Sequence, residues 1–325
     1  MSTLQAPFPW FGGKSRVAGD VWERIGDVPN YVEPFAGSLA VLLGRPARHR
    51  GRVETVNDLD GFIANFWRAV AHDPEQVAHH ADWPVNETDL HARHSWLVEH
   101  RADLTAQMEG DPDFFDTKVA GWWVWGACSW IGGGWCSGRG PWRVVDGRLV
   151  KADLGNAGQG VNRVLPHLGQ PRGINRKGVD LAAWFGDLAD RLRGVRVASG
   201  DWSRVTGESV TTVHGVTGVF LDPPYGDAAG RDMNVYAFDS GTVAGQVREW
   251  CIANGANPAL RIVLCGYAGE GHDDLADHGW STQAWSSKGY GAGFGGAADL
   301  NRVKERIWYS PACLDLDPDL FGDLA

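Results

Sequence analysis

Gly218-Val219-Phe220-Leu221-Asp222-Pro223-Pro224-Tyr225 is the stretch from which the chain is best read. An apolar run follows a glycine and is stopped by two prolines, the pattern of a buried strand that ends in a sharp turn. Each proline fixes its own φ and restrains the residue before it, so the Asp222 carboxylate and the Tyr225 ring are expected on a stiff bracket. A bracket of this kind suits a planar guest. The carboxylate and a nearby carbonyl accept hydrogen bonds from an exocyclic NH2 while the tyrosine stacks on the ring that carries it. An amine conjugated to a purine is a poor nucleophile, and drawing on its protons during attack stabilises the transition state in particular. A proline-rich turn that only closes a strand fits the same residues, so the decision falls to the rest of the chain.

Upstream, Leu181 to Leu192 reads as an amphipathic helix and Val195-Arg196-Val197 as the start of a strand ending at Gly200-Asp201-Trp202. There Asp201 is suited to accept from an adenine amine and Trp202 to cover its ring. Downstream, Thr242 to Ala253 is helical, Leu260 to Cys265 is a continuous apolar strand and Ile307-Trp308-Tyr309 is a late strand. The glycine-rich Gly289 to Gly296, with Lys288 and Tyr290, reads as a lid.

Nearer the amino end, Asn30 to Glu33 is a short strand that enters the turn Pro34-Phe35-Ala36-Gly37-Ser38 and then an apolar helix, an opening βα unit. Leu39 occupies the second glycine position, so GxGxxG is absent. A second strand, Val53 to Val56, leads to Asp58, 21 residues after Gly37, about where an acid holds a ribose diol. A cap on a helix starting near Leu59 is the plainer role for that residue. Pro9-Trp10-Phe11-Gly12-Gly13-Lys14-Ser15 ends like a phosphate loop, but Phe8 stands where that loop needs glycine and no strand precedes it, which disfavours an ATPase. Two glycines let a ligand approach the backbone, Lys14 offers a cation, and a helix over Ser15 to Ile25 would present free N–H groups.

Between these halves, Gly61 to Glu109 is helical in pattern. Gly121 to Trp142 then holds six tryptophans, most with the spacing of core positions. The Ile131 to Trp135 loop, with Arg139 and Arg143 close behind, has the makings of a surface that stacks on bases and grips phosphates; an irregular solvated surface is the alternative. Asn156 to Lys177 continues as loops or a hairpin. The net charge of −10 disfavours a polyanionic partner for the whole chain. Residues 137–196, however, hold eleven basic side chains against five acidic ones, a local +6 that leaves −16 elsewhere.

A chain of 325 residues is ample for one large α/β domain with a sizeable insertion, or for two domains. Five scattered cysteines suggest reduced thiols in a cytosol, and a zinc site from His91, His94, Cys128 and Cys136 fits no common spacing. No leader pattern opens the chain, and Val119 to Cys136 is too broken by glycine to span a lipid bilayer.

Taken in order, Trp10 to Lys14, Glu33 to Ser38, Asp58, Gly200-Asp201-Trp202 and the Asp-Pro-Pro-Tyr tetrapeptide at 222–225 resemble the motifs of the Dam-type DNA adenine-N6 methyltransferases, phage-borne relatives in particular. The likeness covers about residues 7–70 and 195–310. The resemblance implies a Rossmann-like, S-adenosylmethionine-dependent methyltransferase sheet built from residues 1–75 and 195–325, with 76–194 as a mainly helical or irregular target-recognition insertion. It implies a cofactor held by Trp10, Gly13, Lys14, Glu33, Phe35, Gly37, Ser38, Asp58, Asp201, Trp202 and Asp222, with S-adenosylhomocysteine as product and no metal. Asp222, Pro223, Pro224 and Tyr225 would hold an adenine rotated out of duplex DNA, and Arg139, Arg143, Arg172, Arg176 and Lys177 would contact that DNA. A monomer or weak dimer in the cytoplasm of a prokaryotic or phage-infected cell is expected, with no membrane partner; solitary, restriction-modification and phage-protective enzymes share these motifs. Methylation of cytosine N4 or of an RNA base is the nearest alternative, followed by a catalytically silent nucleic-acid-binding relative. Leu39, where the family commonly has a small residue, bears on how tightly the cofactor turn closes.

Overall fold

A computed structural model describes residues 4–10, 12–49, 52–111, 113–130, 135–136, 142–146, 148–151, 173–175, 178–224, 241–269, 271–285 and 305–315. In chain order the elements are α1 (Ala18–Ile25), β1 (Asn30–Glu33), α2 (Ala40–Leu43), β2 (Val53–Asp58), α3 (Gly61–His72), α4 (Pro74–Ala81), α5 (Glu87–Glu99), α6 (Arg101–Gly110), α7 (Thr117–Ser129), β3 (Trp142–Val145), β4 (Arg148–Lys151), α8 (Leu181–Leu192), β5 (Val195–Ser199), β6 (Thr217–Leu221), α9 (Gly241–Asn254), β7 (Leu260–Tyr267), β8 (Ser281–Ala284) and β9 (Glu305–Tyr309).

Seven strands form one sheet in the order β5-β2-β1-β6-β7-β9-β8, and β3 and β4 make a separate hairpin. β5, β2, β1, β6 and β7 are parallel, whereas β9 runs antiparallel to both β7 and β8. The chain builds outward from β1 in one direction and then resumes on its other side with β6. The carboxyl ends of β1 and β6 therefore flank the point where the order reverses, the place where open α/β sheets bind ligands. This is the mixed, mostly parallel sheet expected of a Rossmann-like methyltransferase.

Local chemistry sets most element boundaries. β1 and β6 are buried along their whole length, as a continuous apolar run in a doubly covered parallel strand requires. The long helical span after β2 is divided where Asp73, followed by Pro74 in the first turn, and Asn86 cap new helices through side-chain oxygens that accept from Gln76 and Asp89 N–H groups. Asp116 and Asp180 cap α7 and α8 in the same way. β8 has no counterpart among the expected strands. Ser281-Thr282-Gln283-Ala284 is exposed throughout, and an edge strand with no buried face carries no hydrophobic alternation. α1 begins at Ala18, later than the expected Ser15, because Lys14 to Val17 first closes a turn through Val17 N–H to Lys14 C=O at 3.1 Å.

Val77, Trp123, Trp125 and Phe185, all from within 76–194, lie in the same buried apolar cluster as Val56, Phe66 and Phe220. In α7 the glycines permit close approach. A Cβ on Gly126 would lie 1.8 Å from the ring of Trp135, and one on Gly121 would lie 2.4 Å from Cβ of His80. Buried Glu54 ties α8 to the sheet, accepting from Arg45 at 2.9 Å and from Arg191 at 2.7 Å. Arg191, counted above in the positive stretch, is thus engaged in an ion pair with buried Glu54.

Candidate active site

The strand-end residues meet through a continuous series of contacts. Lys14, 3% exposed, donates from Nζ to both oxygens of Asp222 at 2.8 Å and to Gly12 C=O at 2.7 Å. Burial opposes the ammonium charge, but Asp222, with smaller help from Cys265 and Glu305, holds the Lys14 pKa above its ordinary value. Trp10 accepts from Gly13 N–H at 3.2 Å and lays its ring on Gly37. At φ +44° and with a would-be Cβ only 2.6 Å from Trp10 Nε1, position 37 has room for glycine alone. The amino-terminal motif and the β1 turn are thereby locked together.

Gly37 N–H in turn donates to Asp58 Oδ2 at 2.9 Å, and Asp60 N–H donates to Asp58 Oδ1 at 2.9 Å. The helix that follows is capped by Asp60, whose Oδ1 accepts from Phe62 N–H at 3.0 Å, so Asp58 is released from the capping role. Its carboxylate keeps further lone pairs. Burial pushes its pKa up to about 7 against the pull of the two backbone N–H groups. Asp58 C=O accepts from Gly200 N–H at 3.0 Å, joining the ends of β2 and β5. Beyond Gly200, Trp202 is 7% exposed and stacks on Phe35 at 6.2 Å and 26°. Asp201 is exposed and caps the short turn of Trp202–Val205 through Ser203 N–H at 2.9 Å.

Glu33 lies deeper, 2% exposed, and accepts from Tyr31 O–H at 3.0 Å and Leu42 N–H at 3.2 Å, which caps α2. Burial raises its pKa to about 8. Ser38 and Pro223 are buried and Pro224 is half-buried. Tyr225, Arg139, Arg172, Arg176, Lys177 and the expected lid at 288–296 lie outside the described residues; Arg143 is placed in β3, but its side chain is not described.

Two residues escaped the sequence reading. Asn57 Nδ2 bridges Pro34 C=O at 3.0 Å and Gly200 C=O at 2.9 Å, fastening the β1 and β5 turns to β2. Its only signal was an Asn-Asp pair at a strand end. Trp285, just after β8, lies with its ring centroid 5.6 Å from Lys14 Nζ; with β8 itself unrecognised, nothing marked it.

S-adenosylmethionine carries an adenine, a ribose diol and an amino-acid tail, and the edge offers groups that fit them. Trp202 Nε1 and Asn57 Oδ1 are buried without a hydrogen-bond partner among the described residues. An orphaned donor and an orphaned acceptor at one sheet edge suit a polar guest. Among the described residues no cluster of three metal-ligating side chains occurs. His94 instead stacks on Trp130 at 4.7 Å and 14°, and burial lowers its pKa to about 4.

Sheet order and strand-end contacts bring the amino-terminal motif, the β1 turn, Asp58 and Asp222 to one edge. Residues 10–111 match the family model described as D12 class N6 adenine-specific DNA methyltransferase. The resemblance to the Dam-type enzymes is therefore upheld over the amino-terminal motif, the β1 turn and Asp58, and the activity class it carries is DNA adenine methylation. No curated protein matches the chain.

Proposed function

We propose that the protein transfers a methyl group from S-adenosylmethionine to N6 of an adenine rotated out of duplex DNA. The observation that carries this reading is the Lys14–Asp222 pair, which joins the amino-terminal motif to the end of β6. Trp10, Gly13, Gly37, Ser38, Asp58, Phe35, Asp201 and Trp202 would hold the donor, with Asp58 accepting from the ribose hydroxyls and the Phe35–Trp202 pair flanking the adenine. Glu33 supports the same turn from beneath by capping α2. The donor, once bound, supplies a methyl group on a positively charged sulfur.

Asp222 orients the acceptor. With Lys14 on both oxygens its carboxylate is fixed in direction, and its remaining lone pairs accept from the exocyclic NH2. Held by Lys14 through both oxygens, the Asp222 carboxylate aligns the amine for transfer. As the N–C bond forms the nitrogen becomes cationic, stabilised by the acceptors around it, and its surplus proton leaves to solvent. Pro223 and Pro224 restrict the bracket, and Tyr225 would stack on the base. Residues 76–194 would recognise the target, with Arg139, Arg143, Arg172, Arg176 and Lys177 meeting phosphates.

Incubation with methyl-labelled S-adenosylmethionine and unmodified duplex DNA, followed by digestion to nucleosides, should yield labelled N6-methyladenine. Parallel arms with cytosine-only DNA and with RNA separate the alternative acceptors. Label in N4-methylcytosine or only in RNA would overturn the acceptor. No label in any arm, with S-adenosylhomocysteine still bound, would overturn the enzyme.

A further inference from the structure

Away from the strand ends, helices α4, α5 and α7 and the connection between the first two line an open cavity of about 570 Å3, within the range of small-ligand sites. Trp83, Trp96 and Trp122 line it together with Arg93 and Lys118. Arg93 is 8% exposed. Its guanidinium lies 5.2 Å from the ring centroids of Trp83 and Trp122 and 4.3 Å from that of Trp125. Aromatic rings satisfy the faces of a guanidinium but not its in-plane donors, and Arg93 Nη1 has no hydrogen-bond partner among the described residues.

Asp89, one turn back on α5, answers it through its charge alone, since its Oδ2 accepts from Trp83 Nε1 at 2.6 Å and Asn86 Nδ2 at 2.7 Å. A buried guanidinium N–H without an acceptor is costly, and an anionic ligand that reached it would remove that cost. Lys118 adds a second, exposed cation 4.6 Å from the Trp122 ring. Trp83 is 49% exposed, and Trp96 is 36% exposed with one face stacked on His100 at 4.0 Å and 12°, so aromatic surface stands open beside the two cations. Asp82 and Asp89 also line the cavity, and their oxygens suit the amine or hydroxyl of a ligand.

We infer that this cavity binds a nucleotide, its base against the open tryptophans and its phosphate on Arg93 and Lys118. The same chemistry is offered by a free nucleoside monophosphate and by one unit of a DNA strand. The inference stands apart from the methyl-transfer reading, because binding is measured without turnover.

Equilibrium dialysis with labelled 2′-deoxycytidine 5′-monophosphate, under saturating S-adenosylhomocysteine to occupy the strand-end site, should show saturable binding at one site. Deoxycytidine lacking the phosphate should bind about tenfold or more weakly. Trp83→Ala and Lys118→Glu, both at exposed side chains, should each weaken the nucleotide by about tenfold. Arg93→Gln, with folding checked by circular dichroism, should abolish the preference for the phosphate. Displacement by a short deoxycytidine oligomer at lower concentration than the mononucleotide would identify a strand as the source; displacement by the mononucleotide alone would identify a free ligand. Absence of saturable binding by either, or binding untouched by both Trp83→Ala and Lys118→Glu, would overturn the inference.

Discussion

Lys14 and Asp222 stand 208 positions apart and meet at 2.8 Å. Removing the cation by Lys14→Met leaves a carboxylate only 20% exposed beside an apolar chain. The loss of a fully buried partner costs about 3–5 kcal/mol, so a cost of about 2–3 kcal/mol is expected at this exposure. Misdirection of the acceptor should slow transfer by about 100-fold or more. Thermal melts and single-turnover rates measure the two effects separately, and a variant with undiminished rate would remove Lys14 from the account. Asp58 yields a pH prediction. Its pKa of about 7 in the folded protein means that the carboxylate able to accept two ribose hydroxyls accumulates as pH rises through neutrality. Affinity for S-adenosylhomocysteine should therefore increase between pH values of about 6 and 8, and calorimetry on Asp58→Asn should find that increase gone. At this scale the meeting of Asp58 with the Gly37 turn was legible because it depends on spacing along the chain. Asn57 and Trp285 were not, because their partners are brought to them by the sheet.

Leu39 shows how an element can override a local preference. It sits at φ +53° in the left-handed region at the start of α2, where glycine would be at ease, and is fully buried. The strain of that conformation is about 1–2 kcal/mol, whereas truncating a buried leucine costs about 2–5 kcal/mol. Packing wins, so Leu39→Gly should lower stability by a net of about 1–3 kcal/mol in denaturant titrations; a more stable variant would contradict that balance. The turn nevertheless closes as a glycine-turn site should, through Leu39 N–H to Ala36 C=O at 2.7 Å. The buried parallel strands could be read directly because both faces are covered and the run is unbroken. β8 could not, being exposed and polar, and α7 could be read as core only in part, since its Gly126 is explained by a ring from Trp135.

Across the whole molecule, the sheet order places the ends of β1, β2, β5 and β6 along one edge, which is why motifs scattered from Trp10 to Asp222 converge. None of that convergence is visible in any single motif; their order along the chain made it legible. Binding of S-adenosylhomocysteine should raise the unfolding temperature of the intact protein, by about 2.7 kcal/mol of linkage at a concentration 100 times the dissociation constant, and should fail to do so in Asp58→Ala. No described helix is long and apolar enough to cross a membrane. The central claim, that this edge directs a methyl group to adenine N6, is tested most directly by long-read mapping of modified bases in DNA from cells that express the protein or its Asp222→Asn form at equal levels. N6-methyladenine recurring at a defined sequence with the native protein, and absent with the variant, is the predicted result; unmodified adenine with both, or equal modification with both, would contradict it.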